Sequence, residues 1–141
     1  MNSLKILILL SLNAPICSEK PTPSQILNKQ LAAVSQSLTQ LNVSHFQELF
    51  NRELVDLDTV FQPNFLYPNN VFASMGDSEF KNSLKIFSSF EPTLVSGGSI
   101  RALVTIKYKM GGQSHKMDKE VAIAKDSKSP TGYVFAAFKT L

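Results

Sequence analysis

Ile100-Arg101-Ala102-Leu103-Val104-Thr105-Ile106-Lys107-Tyr108 alternates apolar with polar residues and leads through Lys109-Met110 to Gly111-Gly112, a two-residue hairpin turn. With the turn at the two glycines, Met110 faces Gln113 and the return strand runs to about Lys125. One face then pairs Tyr108 with His115, Ile106 with Met117, Val104 with Lys119, Ala102 with Val121 and Ile100 with Ile123. The other pairs Lys109 with Ser114, Lys107 with Lys116, Thr105 with Asp118, Leu103 with Glu120 and Arg101 with Ala122. The glycines alone place the turn, so this sorting by polarity independently supports the hairpin. The first face packs inward, and Tyr108, His115 and Lys119 are its only polar groups. Downstream, Asp126 to Gly132 turns the chain into a further strand, Tyr133-Val134-Phe135-Ala136-Ala137-Phe138.

Upstream the pattern changes to helices. Thr22-Pro23-Ser24-Gln25 combines an N-cap threonine, a first-turn proline and an N3 glutamine. Behind it Leu27, Leu31, Val34, Leu38 and Leu41 recur at helical spacing and predict one buried stripe. Ser44-His45-Phe46-Gln47 reads as a second capping box, with Phe46, Leu49, Phe50, Leu54 and Leu57 continuing a helical stripe towards Phe61. Pro63 ends it. Phe65-Leu66-Tyr67 follows as a short extended piece closed by Pro68-Asn69-Asn70, with Val71-Phe72-Ala73 as its pairing partner. Gly76-Asp77-Ser78 opens a third helix, predicted to carry Phe80, Leu84 and Phe87 on one face and to stop near Phe90.

At the N-terminus, Lys5 followed by the apolar run Ile6 to Leu12 and then by Asn13, Ala14, Pro15, Cys17 and Ser18 has the form of a secretory signal peptide. The run falls short of the about 20 apolar residues that a membrane helix needs. The expected organisation is a signal peptide over 1–18, a linker over 19–24 and one domain over 25–141, secreted and with no membrane attachment after cleavage. Cys17 is the only cysteine and lies in the cleavage region, so a mature chain cut after it has no thiol. That removes disulfide frameworks, zinc-finger spacings and cysteine nucleophiles together, and leaves stability to a hydrophobic core. About 120 residues suffice for one such core. Asn42-Val43-Ser44 is a glycosylation sequon, which makes Asn42 a candidate glycan site.

Two amphipathic helices, the connector Val60-Phe61-Gln62-Pro63-Asn64-Phe65-Leu66-Tyr67, a third helix opened by Gly76-Asp77-Ser78-Glu79-Phe80, and a run of antiparallel strands resemble the nuclear transport factor 2-like family, particularly its small secreted members. The resemblance covers roughly Gln25 to Leu141. It implies an α+β cone, in which a strongly curved antiparallel sheet wraps the N-terminal helices and leaves a pocket at its open end. The scaffold hosts isomerases, dehydratases, hydrolases and proteins with no catalysis. Its enzymes place an aspartate on the inner wall, whereas the inward hairpin face here carries no carboxylate, since Asp118 and Glu120 both fall on the outer side.

Tyr108, His115 and Lys119 form the best catalytic constellation, with the histidine as general base and a desolvated lysine of lowered pKa. The structural alternative puts His115 at an exposed hairpin tip and lets Lys119 reach an edge or a bulge. Asp56-Leu57-Asp58 offers paired carboxylates, but helix-end capping by Asp58 accounts for them more simply. The two histidines, His45 and His115, lie far apart and lack ligand spacing, so neither a metal nor a cofactor is implied. Charge is uneven: residues 19–96 hold five Lys/Arg against eight Asp/Glu, and residues 97–141 hold eight against three. Arg101, Lys107, Lys109 and Lys116 share the outer face, and Lys107 opposite Lys116 is a like-charge pair. No aromatic residue interleaves them as a nucleic-acid platform requires, so nucleic acid is not an expected partner.

The resulting expectation is a secreted binding domain rather than an enzyme. The pocket that the resemblance implies would be lined by Phe65, Tyr67, Ile106, Tyr108, Met117 and Phe135, a surface suited to a small hydrophobic ligand. An equal alternative is a cone filled by side chains, giving an interaction module that pairs sheet to sheet as a homodimer. The rival from another class is a cofactor-independent lyase or isomerase using His115 and Tyr108, completed by Asp56 or Glu53 from the helices.

Overall fold

The structure, a computed structural model, describes residues 20–62 and 77–141. Thr22 opens helix α1 (Pro23–Thr39) through a reciprocal capping box: its hydroxyl accepts from Gln25 N at 3.2 Å, and Gln25 Oε1 accepts from Thr22 N at 2.9 Å. Leu27, Leu31, Val34 and Leu38 form the buried stripe. Leu41, expected as its fifth member, instead stands 51% exposed at φ 59°. There Leu41 N donates to Leu38 O and Asn42 N to Ser37 O, the paired bonds of a Schellman stop, with leucine where glycine is usual.

The second helix starts earlier and ends sooner than its pattern suggests. Asn42, not Ser44, caps α2 (Val43–Glu48), its Oδ1 accepting from His45 N at 3.0 Å. Glu48 is the last helical residue because the following backbone finds partners in the sheet: Phe135 N donates to Leu49 O and Asn51 N donates to Phe135 O, each at 2.9 Å. A short 3-10 turn, Leu57–Thr59, follows and is capped by Asp56 through Asp58 N, so Asp56 rather than Asp58 is the capping residue.

Asp77 caps α3 (Ser78–Ser83), which is only six residues long. Ser83 ends it by returning its hydroxyl to Glu79 O at 2.6 Å and accepting Lys109 N at 2.7 Å. Leu84 turns extended, and β1 (Lys85–Phe87) occupies what the helical pattern assigned to the third helix. Sheet pairing overrides the helical reading at Ile86 and Phe87, both strand-favouring residues. Strands β2 (Thr93–Leu94), β3 (Ile100–Met110), β4 (Gln113–Lys125) and β5 (Tyr133–Thr140) complete an antiparallel sheet. The order is β1-β3-β4-β5, with β2 pairing the start of β3 beside β1.

The β3–β4 register matches the sequence expectation at every pair from Met110–Gln113 out to Ile100–Ile123. Gly111 and Gly112 sit at φ 58° and 77°, the left-handed turn that matches strand twist. Along β4–β5, Ala122 faces Ala137 and Ile123 faces Phe135, so Ala136 is an extra residue at a bulge. The sheet is curved and unclosed, which with the helices makes an α+β fold.

One hydrophobic core joins the α1 stripe, Phe46, Phe50, Phe61, Phe80 and the inward rows of β3, β4 and β5. Each large side chain buried there contributes about 1.5–3 kcal/mol. Gln30, fully buried on α1, donates through Nε2 to Leu49 O (3.2 Å) and Tyr133 O (3.1 Å), while its Oε1 accepts from Thr131 Oγ1 at 2.6 Å. It thereby holds three chain segments together. No helix among the described residues is long and apolar enough to cross a membrane.

Candidate functional site

His115 and Tyr108 meet as the register requires. Their rings stack with centroids 5.0 Å apart and planes inclined by 20°, and Tyr108 also meets the Phe80 ring at 5.2 Å, tilted by 60°. Tyr108 is buried and His115 half-buried. The contact is an aromatic pair within the core wall, and no carboxylate among the described residues orients the imidazole.

Lys119 lies four residues further along β4, roughly 13 Å away at about 3.3 Å per residue. The three groups therefore do not converge on one reacting atom. Lys119 is also fully buried rather than extended to an edge. Its Nζ donates to Gln62 O (2.5 Å), Thr140 Oγ1 (2.8 Å) and Thr59 O (3.2 Å), so an ammonium here has an acceptor for each proton. Burial pushes its pKa down to about 8. It acts as an internal clamp between β4, β5 and the 3-10 turn.

Of the expected pocket lining, Ile106, Tyr108, Met117 and Phe135 are all buried at 4% exposure or less and packed within the core cluster. Phe65 and Tyr67 lie outside the described residues, as does the extended segment around them. Asp56 and Glu53 are exposed. The Asp56 carboxylate is occupied in capping, and no group of three metal-ligating side chains occurs among the described residues.

The outer face of the sheet carries a different arrangement. Lys85 on β1 faces Lys107 on β3, and Lys107 faces Lys116 on β4. Three lysines thus stand in one row across three strands spaced about 4.8 Å apart. Lys109 follows two residues on, and these lysines line a cavity of about 500 Å³ together with Asn82, Ser83, Ser114 and the Tyr108–His115 pair. All four lysines are exposed. Two carboxylates of β4 share this face: Glu120 pairs with Arg101 at 2.9 Å, while Asp118, two residues along β4 from Lys116, accepts the Thr105 hydroxyl at 2.8 Å, keeps its charge and makes no ion pair with the lysines. Arg101–Glu120 is the one ion pair among the described residues. Directly opposed like charges destabilise a sheet by roughly 0.2–1 kcal/mol per pair.

Lys85 is the member that sequence reasoning missed, because the segment was assigned to a helix. Lys85-Ile86-Phe87 reads polar–apolar–apolar, with Ile86 inward opposite Ile106 and Phe87 on the outer face, so this three-residue piece carries no alternation that would announce a strand.

No protein-family model matches the chain, and no solved structure matches it. Over 60 residues, 43% of this chain, it is 57% identical to an uncharacterized protein of Caenorhabditis elegans. The match spans only 8% of that relative's length.

Proposed function

We propose that the chain is a secreted, non-catalytic binding domain of the nuclear transport factor 2-like type that works from the exterior of its sheet. The observation that carries this reading is the occupation of the sheet's inner face by the protein's own side chains, with Phe50, Phe135 and Phe138 in mutual ring contact at 5.1–5.8 Å. Helices followed by a curved antiparallel sheet support the family resemblance, and Lys5 with the apolar run behind it supports secretion. Asn42 stands exposed at the turn between α1 and α2, and its Oδ1 makes the helix cap, which leaves the amide nitrogen for a glycan.

A sheet-to-sheet homodimer is the less favoured partner. Two-fold pairing sets a surface against itself, which brings the lysine row of one copy towards that of the other. The lyase or isomerase alternative asks His115 to act as a base, yet its ring lies flat on Tyr108 with no carboxylate behind it among the described residues.

Native mass spectrometry of protein collected from a eukaryotic secretion tests the reading. The expected spectrum is a monomer lacking residues 1–18, with or without one glycan and without a retained apolar molecule. A stoichiometric apolar ligand would overturn it in favour of an internal pocket.

A further inference from the structure

We propose that the groove formed by Lys85, Lys107, Lys109 and Lys116 binds a small polyanion that carries two or more phosphate-type tetrahedral oxyanions. The inference rests on the exterior-binding reading and names the class of ligand. The register of three strands brings the lysines together, not proximity in sequence: Lys85 opposes Lys107, and Lys107 opposes Lys116. Such a row is unfavourable in the free protein and becomes favourable once an anion lies across it.

Among the described residues no carboxylate forms an ion pair with these four lysines, and the two charged ones nearby are held by neutral donors. Asp118 is held by the Thr105 hydroxyl, and Glu79 at the hairpin tip accepts Gly112 N at 3.1 Å. Lys107 Nζ lies 5.7 Å from the Phe87 ring centroid, a contact that keeps its charge above the sheet without neutralising it. Asn82 and Ser114 add uncharged donors at the rim of the same cavity.

The chemistry of the donors suits a compact, highly charged anion. Lysine ammonium groups act as point charges that bind tetrahedral oxyanions such as phosphate without the planar fork of arginine, which the groove lacks. The backbones of the outer lysines stand two strand spacings apart, about 10 Å, and the four ammonium groups together carry more positive charge than one tetrahedral anion balances. A ligand with at least two such groups fits the row. The same chemistry is offered by a free polyphosphorylated small molecule and by a polyphosphorylated lipid headgroup.

Isothermal titration calorimetry of the mature chain with inositol hexakisphosphate, beside co-sedimentation with phosphatidylcholine vesicles containing phosphatidylinositol 4,5-bisphosphate, tests the proposal. Lys107→Thr and Lys116→Thr are each expected to weaken binding about tenfold or more, while Lys128→Ser, a lysine outside the groove, leaves it unchanged. Binding of the free compound with this pattern identifies a soluble ligand. Binding confined to the vesicles, with the same pattern, identifies a headgroup. Equal losses from Lys128→Ser and the groove variants would reduce the effect to net charge and overturn the proposal. No binding in either arm would also overturn it and leave the exterior-binding reading standing, since that reading fails only on a retained internal ligand.

Discussion

The Nζ of Lys119 lies 2.5 Å from the carbonyl oxygen of Gln62, so a lysine in the middle of a buried strand face fastens the sheet to the chain that crosses it. Among the described residues, Lys119 is the only charged side chain that is buried. Its three acceptors come from two parts of the fold that are far apart in sequence, the 59–62 turn and the end of β5.

This clamp makes stability depend on pH. The folded pKa is about 8, below the unfolded value of 10.5, so between these two values the unfolded chain binds more protons than the native one. The cost of burying the charge is present in full below pH 8 and is relieved as pH rises towards 10.5. The wild-type chain should gain roughly 1–3 kcal/mol across that window relative to Lys119→Met, which has no proton to lose. Urea unfolding of both chains at pH 7 and pH 9.5 measures the difference.

Gln30 is a second buried polar joint. Replacing it by leucine keeps the helix stripe apolar but takes one of two donors from each of the Leu49 and Tyr133 carbonyls, which keep Phe135 N and Thr131 Oγ1, and removes the Gln30 acceptor from the Thr131 hydroxyl. A loss of about 2–4 kcal/mol is expected in chemical unfolding, well beyond that of an exposed glutamine.

Leu41 holds a left-handed backbone at φ 59° with its side chain in solvent. Leu41→Gly removes the steric penalty and retains both Schellman bonds, so it should stabilise the domain by about 0.5–1 kcal/mol. Thermal denaturation reads this as a higher Tm.

Lys116→Thr should raise Tm by roughly 1–3 °C at low salt, because it removes the charge that directly opposes Lys107 at the end of the repelling row and places a strand-favouring residue there. The gain should shrink as ionic strength rises. A substitution that stabilises the free chain while weakening anion binding marks a residue kept for recognition.

The hairpin was legible because two glycines set its turn and alternation set its faces, and every cross-strand pair followed. The α1 start was equally legible, since Thr22, Pro23 and Gln25 each satisfy a separate local rule. The ends of α2 and α3 were not. Leu49 to Asn51 leave the helix to bond Phe135, more than eighty residues away, and Lys85 to Phe87 leave it to pair with β3. No local signal carries such long-range pairing. The same limit hid the lysine row, whose third member lies on the strand that was read as helix, and it hid the destination of Lys119, which a single strand face cannot reveal.

The central claim is that recognition takes place on the outside of the sheet, at the groove of Lys85, Lys107, Lys109 and Lys116. NMR titration of the isotopically labelled chain with inositol hexakisphosphate, following the lysine side-chain signals and the core methyl groups together, addresses it directly. The account predicts saturable shifts at those four lysines, with Lys20, Lys128 and Lys139 and the methyl groups of Val121 and Ile123 unmoved. Shifts spread evenly over all exposed lysines, or centred on the core methyl groups, would contradict it.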